Sequence, residues 1–189
     1  AQALSHFPEV AGLHHHYIQA LIWNDDYNQA GQACLQLADL YLAQKNVDDS
    51  MDAVQLLLSL DPTHVEARKR LVAHLQEQGH EQMSLVQLSQ LAEQASAQGL
   101  WAEALQAWQH LYDCQQNPLA LERLGYLCQQ LGRPSEAQHH YQKLLDYFEQ
   151  QQRTLDAVSI CDRLIELQPE ALELQHRQIG LLVQLGWKE

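Results

Sequence analysis

Leu121, Leu124, Cys128 and Leu131 recur at steps of three, four and three, with polar residues between them. That spacing places all four on one stripe of a helix and predicts a helix near 118–131. Pro118 suits the first turn, where its missing N–H has no partner to lose, and Gly132 can take the left-handed backbone that closes a helix. Pro134 then opens a second stripe of Ala137, Tyr141, Leu144, Leu145 and Phe148. A connection of about two or three residues makes the two helices an antiparallel hairpin. The same reading along the chain predicts helices near 9–24, 27–44, 47–60, 63–79, 81–98, 101–115, 118–131, 134–150, 153–167 and 170–185, and no strand. The predicted fold class is therefore all-α.

The stripes share a register. Ala104, Trp108 and Leu111 have the offsets of Ala137, Tyr141 and Leu144, and Ala157, Cys161 and Leu164 have them again. Asp61-Pro62, Asn117-Pro118 and Gln168-Pro169 each end one helix and begin another, at intervals of 56 and 51 residues that hold about three helices each. Ala137 and Ala157 stand only 20 residues apart, so the helix between them serves as second of one pair and first of the next. Strict pairs and stacks of three are both open at this point. One hairpin buries a single face, so neighbours must stack to form a continuous core.

From Pro118 to about Gln151 the chain resembles a tetratricopeptide repeat. Leu121 falls where that family prefers Trp or a large apolar residue. Leu124 and Gly125 match its Leu-Gly pair, Cys128 its Tyr, Gly132 its turn, Ala137 its small residue and Tyr141 its aromatic. A second stretch, Gly31 to Pro62, carries Cys34, Leu37, Ala38, Tyr41, Ser50, Val54 and Leu57 in matching places, and a third runs from Leu88 to Leu111. The resemblance implies a right-handed α-α superhelix, a solenoid of about ten antiparallel helices spanning 1–189 as one domain. It also implies a non-catalytic protein-interaction scaffold that holds a peptide, a helix or a folded partner. The alternative is a non-catalytic region of a larger enzyme or secretion component that positions substrate. Some domains of the family grip acidic C-terminal peptides with Lys, Arg and Asn. The corresponding positions here look like Asp39, Glu122 and Tyr126, so the candidate groove of Asp39, Leu42, Glu122, Tyr126 and Gln129 suits a basic or apolar partner.

Charge narrows the partner further. Eleven Lys and Arg against 24 Asp and Glu give a formal net charge of −13, which repels a phosphate backbone, so nucleic acid is not expected. The longest apolar runs, such as Leu56 to Leu58, are far shorter than the roughly 20 residues that span a bilayer. Cys34, Cys128 and Cys161 read as small hydrophobes on core stripes, and four cysteines without C-x-x-C spacing point to a reducing, cytoplasmic setting. His110 and Cys114 share a helical face but supply half a zinc site at most, and the runs His14 to His16 and His139-His140 fan around their helices. The runs are expected on partly exposed faces, and no cofactor or metal is expected. Zinc-hydrolase, nucleophile-elbow and phosphate-loop signatures are missing, and Asp25-Asp26 and Asp48-Asp49 at interhelical turns read as helix caps. Trp108 is expected to be a buried anchor and His139 an exposed residue. The last predicted helix carries Leu174, Ile179, Leu182, Val183 and Leu185, and Gly186 and Trp187 resemble an earlier turn that introduces a helix. That end is expected to be covered, either by further chain or by another copy.

Overall fold

The apolar stripes do form helices, and the helices come in a period of three. The computed structural model describes residues 10–186, which hold ten α-helices and no strand. In order they are α1 (Ala11–Trp23), α2 (Tyr27–Ala43), α3 (Val47–Leu60), α4 (Val65–Glu77), α5 (Glu81–Ala97), α6 (Trp101–Gln115), α7 (Pro118–Gln130), α8 (Pro134–Gln150), α9 (Thr154–Leu167) and α10 (Leu172–Gln184). Their bounds agree with the sequence reading to within about two residues; Glu9 and Trp187, where that reading placed a helix start and a turn, lie outside the described residues.

The lengths run 13, 17 and 14 residues for α1 to α3, then 13, 17 and 15, then 13, 17 and 14, and α10 again has 13. First helices begin at residues 11, 65, 118 and 172, so the period is 53 or 54 residues. The turn chemistry repeats with it. Each first helix is followed by a left-handed residue at the same offset: Asp25, Gly79, Gly132 and Gly186, with φ between 58° and 79°. Three of the four are glycine because a Cβ is strained there.

Caps fix the helix starts. Asp26 accepts from the Gln29 N–H at 3.1 Å, Asn117 from the Leu119 N–H at 2.9 Å, and His64 Nδ1 from the Ala67 N–H at 3.2 Å. Two capping expectations change. Asp25 lies in the left-handed turn and accepts the Tyr27 hydroxyl at 3.0 Å, and α3 is capped by Asn46, with Asp48 and Asp49 inside the first turn at the positive end of the helix dipole.

Two compact units divide the chain, residues 1–94 and 95–189. In the first, α1 packs on α2, α2 on α3 and α3 on α4, around Ile18, Cys34, Leu37, Val54 and Leu57. In the second, α6 through α10 pack each on the next, around Cys128, Tyr141, Leu144, Leu145, Cys161 and Leu164. Each large apolar side chain buried in this way contributes about 1.5–3 kcal/mol. Trp108 is buried as expected, its indole N–H 3.4 Å from Ser96 Oγ, and His139 is exposed. His14 departs from the expectation: it is buried on the core side of α1, while His15 and His16 are exposed. A run of three consecutive helical residues spans about 200°, so one member must face inward when the run straddles a stripe.

Candidate functional site

The outward face of α7 carries Leu119, Glu122, Tyr126 and Gln129 at steps of three, four and three, opposite the buried stripe of Leu121, Leu124 and Cys128. Tyr126 is 44% exposed and Leu119 43%. Beneath them lies a polar brace. Arg163 of α9 sets Nη2 2.9 Å from Glu122 Oε1 and its guanidinium 5.8 Å from the Tyr141 ring, and the Tyr141 hydroxyl donates to Gln129 Oε1 at 3.1 Å. Burial pushes the Tyr141 phenol above its ordinary range, while Arg163 partly offsets the shift, so it stays a neutral donor. The structure therefore brings Glu122, Tyr126 and Gln129 together on one braced surface.

Asp39 and Leu42 form a separate patch on α2 in the other unit. Arg70 of α4 donates from Nη1 to Asp39 Oδ1 at 2.6 Å and from Nε to Glu66 Oε1 at 3.3 Å, and Leu42 is exposed beside this bridge. Both acidic residues proposed for the groove thus have an arginine partner already. Neither Arg70 nor Arg163 was singled out by the sequence reading, because the pairs are 31 and 41 residues apart and leave no local pattern.

Arg68, also missed, is the most unusual side chain. Only 6% exposed, it donates from Nε to Gln94 Oε1 at 2.8 Å, from Nη1 to Gln90 Oε1 at 2.5 Å and to Gln87 Oε1, and from Nη2 to the Pro62 carbonyl at 2.6 Å. None of these acceptors is charged, and burial lowers its pKa. Gln87, Gln90 and Gln94 share a face of α5, so the polar stripe was visible in the sequence although its purpose was not.

The remaining candidates resolve simply. Cys34, Cys128 and Cys161 are buried, Cys114 is exposed, and all four are free. Burial pushes the Cys34 and Cys161 thiols up to about 11, which keeps them protonated and unreactive. Among the described residues no three His, Cys, Asp or Glu side chains converge as a metal site. No helix among them is long and apolar enough to cross a membrane. A groove of about 640 Å³ on the second unit is lined by His139, Gln142, Leu164, Leu174 and Arg177. Arg177 is locked by Glu149 at 2.6 and 2.7 Å and by Asp146 at 2.6 Å, contacts that raise its pKa.

Residues 31–64 and 119–151, about a third of the chain, match the family model for the tetratricopeptide repeat. These are tetratricopeptide-type helical repeats. The first match covers α2 and α3, second and third helices of their period, whereas the second covers α7 and α8, first and second of theirs. The 17-residue second helix therefore reads as either member of a pair, which is the sharing implied by the 20-residue spacing of Ala137 and Ala157. Residues 88–111 lie outside both matches. No curated protein matches the chain in sequence. Similar solved structures include PilW, described as a widely conserved type IV pilus biogenesis factor, at 14% identity over 95% of each chain with a TM-score of 0.40. Pseudomonas aeruginosa pilF is 16% identical over 85% of this chain and 92% of its own, with a TM-score of 0.33. A thermophilic tetratricopeptide repeat protein of Thermus thermophilus is 16% identical over 92% of this chain and 100% of its own, with a TM-score of 0.28.

Proposed function

We propose that this chain is a non-catalytic protein-interaction scaffold whose repeats present the α7 stripe to an apolar or basic segment of a partner. The observation that carries this reading is Tyr126, a large aromatic side chain left exposed on a helix whose opposite face is fully packed. Aromatic side chains of this kind supply wide contact area at low entropic cost and dominate many interfaces. The brace from Arg163 and Tyr141 holds Glu122 and Gln129 beside it, so the polar groups are set before a partner arrives. Glu122 meets a basic residue with a carboxylate that already shares one oxygen with Arg163. Apolar contact therefore contributes more of the affinity, and charge acts chiefly by steering the encounter. Asp39 and Leu42 form a second, smaller patch of the same chemistry. The net charge of −13 favours the same partners and disfavours acidic ones.

The test is a binding panel of soluble peptides of basic, apolar and acidic C-terminal type, measured on the native chain and on Tyr126→Ala. Apolar-basic peptides bind, associate more slowly as salt rises, and lose at least about tenfold in affinity with Tyr126→Ala. Selective capture of acidic peptides through their C-terminal carboxylates overturns the reading.

A further inference from the structure

The turn between α1 and α2 departs from its equivalents in side chains and not in backbone. After α1 the Asp25 N–H reaches the Ile22 carbonyl at 3.1 Å and the Asp26 N–H the Leu21 carbonyl at 3.0 Å. After α4 the same two bonds run from Gly79 to Gln76 and from His80 to Leu75, and after α7 from Gly132 to Gln129 and from Arg133 to Cys128. Trp23 closes α1 where Glu77, Gln130 and Gln184 close α4, α7 and α10. Asp25 stands where the others have glycine, and Tyr27 opens α2 where Glu81 and Pro134 open α5 and α8. Glu77, Gln130, Glu81 and Pro134 are all exposed although helices precede and follow them in the chain, so these places face solvent in the middle of the array as well as at its start. A Cβ built on Gly79 or Gly132 meets nothing within 4 Å, so the Asp25 side chain, on the same backbone, projects outward. The fold therefore calls for polar residues at this turn. It holds instead the most exposed large hydrophobic side chain of the described residues: Trp23 is 83% exposed, and Tyr27 50%.

We propose that this turn is a receptor for an arginine side chain of a partner protein, which stacks on the Trp23 indole and pairs with the Asp25 carboxylate. Indole is the strongest of the aromatic faces for a cation. Asp25 has no capping duty to compete with this role, because α2 is capped by Asp26, which accepts from the Gln29 N–H at 3.1 Å. The Tyr27 hydroxyl donates to Asp25 Oδ1 at 3.0 Å, which sets the carboxylate beside the phenol ring and leaves Oδ2 to a ligand. No Lys or Arg occurs before Lys45, and Asp25 has no ion pair among the described residues. The cation must therefore come from outside, and a formal net charge of −13 draws it in. The openness of the site selects among cations. A quaternary ammonium group needs aromatic walls around it, and a lysine ammonium keeps its water on an open face. A guanidinium is weakly hydrated, lies flat on one ring and turns its edge to a carboxylate. Asp25 and Asp26 repel an anionic lipid surface, the other common setting for exposed Trp and Tyr. This turn is distinct from the α7 stripe, and the two readings stand or fall separately.

The experiment titrates the isotope-labelled native chain with the peptide acetyl-Gly-Arg-Gly-Arg-Gly-amide and follows, by NMR, the Trp23 indole N–H and the backbone amides of residues 22–28. Both sets of signals shift and saturate together. The same peptide with lysine for arginine carries equal charge and measures what net charge alone contributes; it binds at least about threefold more weakly. Trp23→Gln and Asp25→Gly introduce residues found at the equivalent places of other periods. Each weakens the arginine peptide at least about threefold, the scale of one exposed cation–π contact or ion pair, and neither lowers the melting temperature. Tyr126→Ala changes neither the affinity nor the ranking of the two peptides. The proposal is overturned if the arginine peptide leaves the Trp23 indole unmoved, or if the lysine peptide binds as tightly. A lower melting temperature for Trp23→Gln also overturns it, because the indole then serves the fold. So does broadening of the Trp23 signal by phosphatidylcholine vesicles with no response to the peptide, which assigns the turn to a lipid surface.

Discussion

The junction of α4 with α5 and that of α7 with α8 occupy the same place in successive periods and are held together by opposite chemistry. Between α7 and α8 the contact is apolar and close: Leu121, Leu124 and Cys128 are buried, and Gly125 lets the Tyr141 ring approach the helix backbone. Between α4 and α5 the residue equivalent to Leu121 is Arg68, and its guanidinium is wrapped by three glutamine amides and a carbonyl. A close apolar contact gains dispersion and loses hydration of carbon, at no cost in polar desolvation. A buried cation must first lose its water, and neutral acceptors return only part of that cost. The period thus fixes where helices meet without fixing how, and the two junctions should respond differently to substitution.

The largest effect is expected at Tyr141. Replacing it with alanine removes a fully buried ring and leaves Gln129 without its donor, so Tyr141→Ala should lower unfolding stability by about 3–5 kcal/mol in denaturant titration. A loss below about 1 kcal/mol would mean that Tyr141 is not the keystone of this junction. Gly125→Ala comes next. Its new Cβ falls within 2.8 Å of three ring atoms of a side chain with no room to retreat, and a cost of about 1–3 kcal/mol follows, although alanine is otherwise the better helix former. Stabilisation by this substitution would show that the close approach is relaxed in solution. The smallest effect is expected at the polar junction. Arg68→Met keeps the volume of the stem, removes a charge that no carboxylate balances, and returns half-exposed glutamines to water, so stability should change by about 1 kcal/mol or less. A loss beyond about 3 kcal/mol would make the glutamine cage a principal brace and erase the contrast.

Within the candidate site, the sequence was informative about position and silent about pairing. Tyr126 and Gln129 fall off the buried stripe by simple helical counting, and they are found on the outward face. That Asp39 and Glu122 are bridged to Arg70 and Arg163 depends on which helices lie side by side. The same holds for Arg68, since a lone arginine among polar residues gives no sign that it will be buried. His14 differs: it stands four and seven residues before the buried Ile18 and Leu21, so helical counting does mark it as the member of the run that faces the core.

What the sequence by itself determined is therefore local: ten helices, their turns and caps, and the stripe each one buries, because 3.6-residue periodicity and the backbone limits of proline and glycine act over a few residues. The three-helix period was half visible in the proline intervals and became plain only when helix lengths were fixed at 13, 17 and 14 or 15 residues. Tertiary structure alone decided which charges are neutralised, that Arg68 is buried, and that Gly125 makes room for Tyr141. A helical residue carries the same local information whether or not a neighbour lies against it, so burial is a property of the neighbour as much as of the residue.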